Sequence, residues 1–397
     1  MFKSKVMKYF FICLSLFIIA YDSVVAQSQK GGFAIGTRDL RFDDNFYSQA
    51  SVKMRVFFPK KSTQEQTIAD GKFPVIAFGH GFVMNYLAYT NLFEHLASWG
   101  YIVATLDEQN GFNVNHFTFA QQLSASVRYL QSEGMREGSF FFAKTDTACA
   151  VFGHSMGGGA SMLTPLIFPK ITAIAGLAPA QTTSTPTAID GLKDINTPVL
   201  IISARGDSVT PERSNQVPMF NNALGPKQRI SLLKGGHCNF TDTPNLLCGV
   251  GANSAGDKGS LTPAQQQLLT KRYLTAFFNY YLKGNRESLT FICGDSVRSD
   301  IEVENFTNIT CPTVRPTVTI RDILRTHPNP SQGIFTLSGL ESGLIYEVLD
   351  VNGRVLFHFQ AEDLSQTIDL STYPDGVYLL KVWDLSRTAT QKMILLK

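Results

Sequence analysis

Between about residues 50 and 284, short apolar runs alternate with stretches of helical period. Phe73–Phe78, Tyr101–Leu106, Ala148–Phe152, Ile171–Leu177 and Val199–Ser203 are such runs. They suit strands buried on both faces of a parallel sheet. Ser51–Pro59 alternates in part and predicts an earlier strand, and Arg229–Leu233 a later one. Phe119, Leu123, Val127 and Leu130 recur at helical spacing and mark one apolar face. Thr262–Leu282 repeats the pattern with Leu269, Tyr273, Ala276, Phe277 and Tyr280. Pro263 suits its first turn and Gly284 its end. Repeating βα units predict an α/β fold with a mostly parallel, doubly wound sheet.

After Lys283 the pattern changes. Arg286–Pro316 has no clear helical period, and Pro312, Pro316, Pro328 and Pro330 punctuate a linker. Short alternating runs then dominate, from Ile334–Leu337 to Met393–Leu396. Asn352-Gly353 between two of them predicts a type I′ hairpin turn. The tail therefore reads as a small all-β sandwich. The expected division is 1–26 as a signal segment, 27–316 as the α/β domain, 317–325 as linker and 326–397 as the sandwich.

The signal assignment rests on Lys3, Lys5 and Lys8, followed by an apolar stretch from Phe10 to Ala20 that is short for a bilayer span. Val24-Val25-Ala26 sets the expected cut after Ala26; the rival reading is an uncleaved anchor. Those three lysines against Asp22 account for two of the three net positive charges in the chain. The remainder is near neutral with no basic run, which excludes an ordinary nucleic-acid binder. The 44% apolar and 17% charged composition excludes a largely disordered chain. Export permits disulfides. Beyond the signal stand Cys149, Cys238, Cys248, Cys293 and Cys311. Nearest-neighbour pairing gives Cys238–Cys248 and Cys293–Cys311, each closing a short loop at a gain of about 3 kcal/mol. Cys149 lies in an apolar strand and reads as a buried hydrophobe. No cysteine or histidine spacing suggests a metal, and no cofactor is expected.

The chemistry gathers at Gly153-His154-Ser155-Met156-Gly157. This G-x-S-x-G follows an apolar strand and precedes a small-residue helix, the setting in which a strained turn exposes a nucleophilic serine. A serine nucleophile needs a base and the base an orienting acid. His237, in Gly235-Gly236-His237-Cys238, is the histidine that follows within the α/β region. Asp207 directly follows the Val199–Ser203 strand and is the expected acid, with Glu212 and Asp194 as rivals. An oxyanion hole would take the N–H of Met156 and that of Phe82, in Gly79-His80-Gly81-Phe82. The Phe82 ring is also a candidate wall for substrate.

With Gly206-Asp207-Ser208-Val209-Thr210-Pro211 and Gly236-His237, these motifs resemble the α/β-hydrolase superfamily. Within it, residues 45–284 resemble the bacterial cutinase and polyester-hydrolase branch, with chlorophyllase-like and dienelactone-hydrolase-like relatives. The resemblance implies cofactor-free cleavage of carboxylic esters; a monomeric catalytic domain and a substrate that includes polymeric esters are also expected. It implies Ser155, Asp207 and His237 as a triad, Phe82 and Met156 as oxyanion donors, and a disulfide at Cys238. That branch usually carries an aromatic residue just after the strand that follows the nucleophile helix. Here Leu177-Ala178-Pro179-Ala180-Gln181 puts Ala180 there, opening that side of the substrate site. No long insertion precedes Asp207, so an open cleft without a large lid is expected. Rival functions are a lipase or chlorophyllase-like esterase on bulky natural esters, a peptidase or amidase, and a non-catalytic surface binding protein on the same fold. His327-Pro328-Asn329-Pro330, Asp350-Val351-Asn352-Gly353-Arg354, Asp375-Gly376-Val377-Tyr378 and Lys392-Met393-Ile394-Leu395 resemble a type IX secretion sorting domain. This implies a secreted or surface-attached protein that meets the secretion machinery. The alternative for the tail is a substrate-binding module, with Trp383 as its aromatic platform.

Overall fold

A computed structural model describes residues 27–47, 50–182, 184–242, 246–311, 324–340, 344–361, 363–383 and 388–397. The expected signal segment and most of the expected linker lie outside these residues. The chain forms two compact units that divide between Cys311 and Pro312.

In the first unit the strands are β1 (Ala34–Asp43), β2 (Ser51–Lys60), β3 (Phe73–Gly79), β4 (Ile102–Leu106), β5 (Thr145–His154), β6 (Ala173–Leu177), β7 (Val199–Ala204), β8 (Lys227–Leu232) and β9 (Val303–Thr307). The helices are α1 (Thr90–Ser98), α2 (His116–Met135), α3 (Met156–Leu163), α4 (Gln216–Asn222), α5 (Leu246–Ala255), α6 (Pro263–Lys283) and α7 (Asp295–Arg298). The sheet order is β1-β2-β4-β3-β5-β6-β7-β8-β9. From β4 to β8 the neighbours are parallel. β1, β2 and β9 add antiparallel edges. Successive strand residues feed opposite cores. Ile76, Phe78, Leu200 and Ile202 join one, beside α1 and α6, while Val75, Ala77, Val199 and Ile201 join the other, beside α2 and α3. Burial on both faces is why these strands read as apolar runs. α6 starts as expected: Thr262 caps it in a reciprocal box with Gln265, Pro263 opens it, and Gly284 ends it in the left-handed region at φ 68°.

The second unit packs a three-stranded sheet on a four-stranded one. The first holds β10 (Arg325–His327), β11 (Ile334–Ser338) and β14 (Ser365–Asp369). The second holds β12 (Ile345–Leu349), β13 (Val355–Gln360), β15 (Gly376–Trp383) and β16 (Thr388–Leu395). All pairings within the two sheets are antiparallel. Phe335, Leu337, Tyr346, Val348, Leu380 and Val382 are fully buried between them. The α/β core and the separate all-β sandwich are the fold class expected.

One local expectation is corrected. The β12–β13 turn is not type I′, which needs positive φ at both central residues. Only Gly353, at φ 80°, is left-handed there. Its N–H donates to the Asp350 carbonyl (3.0 Å), and the Asp350 N–H donates to the Arg354 carbonyl (3.0 Å). This is the three-residue loop whose glycine forms a bulge after a type I turn. The Asp350 carboxylate favours it by accepting from the Asn352 and Arg354 amides.

Candidate active site

Ser155 stands where β5 turns into α3, with φ 53° and ψ −116°. For a residue other than glycine this conformation costs of order 1–3 kcal/mol and needs support from its surroundings. Its N–H donates to the Leu177 carbonyl (2.9 Å), and its carbonyl accepts from the amides of Gly159 (3.0 Å) and Ala180 (2.8 Å). The flanking glycines are required by contact. A Cβ on Gly153 would lie 2.3 Å from the Gly157 carbonyl carbon, and one on Gly157 would lie 2.2 Å from Gly79. That approach, with the Gly157 N–H on the His80 carbonyl (3.1 Å), sets the start of α3 against the loop that carries Phe82.

The loops after β7 and β8 bring Asp207 and His237 to the same end of the sheet. His237 Nε2 lies 3.0 Å from Ser155 Oγ, and its Nδ1 lies 2.7 Å from Asp207 Oδ2. Asp207 Oδ1 accepts from the amides of Val209 and Thr210, and Oδ2 from the Thr210 hydroxyl. Burial alone would raise the Asp207 pKa. The hydrogen bonds from His237 and Thr210 and the attraction of the imidazole outweigh it, so the carboxylate is held below its usual range. An ionised Asp207 fixes the proton of His237 on Nδ1 and leaves Nε2 to accept from Ser155. All three side chains are buried.

The backbone of His237 is held as well. Its N–H donates to Asp257 Oδ2 (2.7 Å), and its carbonyl accepts from His154 Nε2 (3.0 Å). His154 Nδ1 accepts from the Tyr89 hydroxyl (2.7 Å), which itself accepts from the Gly81 N–H (3.2 Å). Burial, with His237 adjacent, pushes the His154 pKa down to about 3 and keeps the ring neutral. Asp242, just beyond His237, ties the same loops together. It accepts from the Asn91 amide, and its own amide donates to the Ala88 carbonyl.

A cavity of about 310 Å³ opens over Ser155 and His237. Phe82, Met84, Phe112, Val209 and Gly251 give it a largely apolar lining. The exposed rings of Phe82 and Phe112 meet edge to face at 6.1 Å. Met156 is the first residue of α3, where helix N–H groups lack partners within the helix. Ala180, expected at the substrate, is not among the lining residues; its amide is spent on the Ser155 carbonyl. Glu212, the rival acid, belongs to another network, accepting from Ser203, Ser231 and Arg229. The helix that reaches the cavity comes after His237. It is α5, bonded to the His237 loop through Cys238–Cys248. Cys293 bonds to Cys311, and Cys149 is a buried free thiol whose pKa burial pushes up to about 11. Among the described residues no cluster of three or more His, Cys, Asp or Glu could hold a metal.

Sequence reasoning missed Phe112, Tyr89, Asp257 and Gly251. Phe112 left a signal: a lone aromatic in the polar loop after β4, where loops at the carboxyl ends of parallel strands form binding crevices. The others left none, because their roles depend on contacts across long sequence separations.

An α/β-hydrolase core with an added β-sandwich is the class this architecture defines. The chain belongs to the PET hydrolase-like family, whose model matches residues 54–312. A secretion system C-terminal sorting domain matches residues 325–396, and the protein is secreted or held at the cell surface. It is similar to a bis(hydroxyethyl) terephthalate hydrolase of Streptomyces coelicolor, 27% identical over 41% of this chain and 49% of that one. It is similar to lipase 1 of a Moraxella species, 26% identical over 39% of this chain and 46% of that one. Cutinase est2 of Thermobifida alba is 26% identical over 55% of this chain and 66% of its own length. The chain spans about half the length of the first two of these relatives.

Proposed function

We propose that the protein is an exported serine hydrolase that cleaves carboxylic esters, polyesters such as poly(ethylene terephthalate) among them, through an acyl-enzyme. The observation that carries this reading is the continuous line Asp207–His237–Ser155, hydrogen-bonded throughout and ending at an apolar cavity. His237 Nε2 takes the proton of Ser155 as Oγ attacks the ester carbonyl. The N–H groups of Met156 and Phe82 receive the oxyanion, a contribution of about 2.7–4 kcal/mol per donor. Asp207 keeps the proton of His237 on Nδ1 and stabilises the imidazolium. His237 then protonates the departing alcohol, and water repeats the sequence on the acyl group. The C-terminal sandwich engages the secretion machinery.

The test is hydrolysis of p-nitrophenyl esters from acetate to palmitate by the full chain and by Ser155→Ala. Turnover and fluorophosphonate labelling by the wild type alone are expected, followed by release of acid from polyester film. Equal inactivity of both proteins, with no labelling, would move a binding role to the front. Preference for long acyl chains would favour the lipase reading, and matched amides separate a peptidase.

A further inference from the structure

The wall that α5 gives the cavity over Ser155 is bare at Gly251. α5 is ten residues long and contains Gly249 and Gly251, although glycine costs about 1 kcal/mol relative to alanine inside a helix. Cys248 and Gly251 both line the cavity. They stand three residues apart, on one face of the helix. Gly249 points away from that face and does not line the cavity. A Cβ built on Gly251 meets no atom within 4 Å, so nothing in the packing demands glycine there. Its φ is not left-handed either, so the backbone does not require it. What sets Gly251 apart from Gly249 is that its bare position leaves space in the cavity. The wall is fixed relative to the reacting groups, because Cys248 is bonded to Cys238, the neighbour of His237. The same cavity presents the edge-to-face rings of Phe82 and Phe112. Such rings favour an aromatic guest.

We infer that Gly251 is a specificity-determining residue: its missing side chain widens the cavity enough for a ring-bearing ester to reach Ser155. The inference rests on the ester-hydrolase reading above. Leucine at 251 would project from the cavity face of α5 and fill space that a ring needs, while leaving room for a small ester. Since leucine is a better helix former than glycine, the variant should not weaken α5.

The full chain and its Gly251→Leu and Gly249→Leu variants would be compared on methyl acetate and dimethyl terephthalate, by acid release. Gly251→Leu should lower kcat/KM for the terephthalate at least about tenfold more than for the acetate. Gly249→Leu should leave both unchanged. An unchanged ratio in Gly251→Leu, or an equal change in Gly249→Leu, overturns the inference. Binding of dimethyl terephthalate to the Ser155→Ala background, read by calorimetry, tests the wall without chemistry. It should weaken about tenfold when Gly251→Leu is added. Should the wild type release no acid from either ester while this weakening persists, the hydrolase reading falls and the role of Gly251 in the cavity stands.

Discussion

Tyr89 has its ring in the core, against Phe78 and Phe93, and its hydroxyl in the site. That hydroxyl links two loops that must act together. It takes the Gly81 N–H beside the proposed oxyanion donor Phe82 and, through His154, reaches the backbone of the proposed base His237. Tyr89→Phe keeps the ring and removes the link, leaving His154 Nδ1 and the Gly81 N–H unpaired. A buried group left so costs about 1–3 kcal/mol. If the link serves positioning, kcat falls about tenfold, equivalent to ~1.4 kcal/mol on the barrier, while KM for a p-nitrophenyl ester changes less than about twofold. An unchanged kcat beside a lowered Tm would show that the hydroxyl serves stability alone. The candidate triad was legible at this scale, since a strained serine, its flanking glycines and an acid ending a strand are local features. Ser155, Asp207 and His237 come together at hydrogen-bonding distance. Tyr89 and Asp257 were not legible as supports, because each acts through a contact that only the folded chain makes.

At the scale of elements, α1 and α6 pack beside one face of the sheet, and His95 joins them. Its Nε2 is hydrogen-bonded to the Thr275 hydroxyl (2.8 Å), and the ring is buried. Burial first, then repulsion from Lys271 and Lys30, pushes its pKa down to about 3, against only a backbone hydrogen bond that raises it. The unfolded chain therefore binds a proton near pH 6.5 that the folded chain refuses until about pH 3. The stability that this group contributes is complete above pH 6.5 and drains away as the pH falls towards 3. In thermal melts from pH 7 to 4, Tm should fall with acid, and His95→Gln should make the fall shallower. His154 still titrates in that variant, so part of the slope should remain. Parallel slopes for the two proteins would exclude His95 as an acid trigger. Elements were legible where burial was symmetrical. β3 to β7 face two cores and read as apolar runs, and α6 announced both of its ends. β1 was missed because it is an edge strand with much of its surface wet, and β9 because only one β-neighbour fixes it. α5 was missed because its glycines hide a helical pattern, although the disulfide that ties it to the His237 loop was expected.

For the whole molecule, the question is where the first unit can be cut. The sequence placed the end of the catalytic domain at 316, while the compact unit closes at Cys311. Two features hold the chain to the first unit as far as Cys311. β9 covers the edge of β8 over five register pairs, with Arg229 stacked on Phe306 at 3.9 Å. Cys311 then returns to Cys293 through a disulfide. The second unit contains its own core, so it does not need the first for burial. We expect residues 27–311 to hydrolyse a soluble ester with kcat/KM within about twofold of the full chain and to unfold in urea with the same midpoint. A chain ending at 300 loses both devices. It leaves β8 as an open edge that invites strand pairing between molecules, and it forfeits the disulfide, worth about 3 kcal/mol. That chain should unfold at clearly lower urea and aggregate on concentration. If the cut at 311 were itself destabilising, residues from 312 onward would have to contribute to the first unit. If the cut at 300 were harmless, β9 and the Cys293–Cys311 disulfide would add nothing, and the stability of the unit would reside in the other eight strands and the helices packed on them.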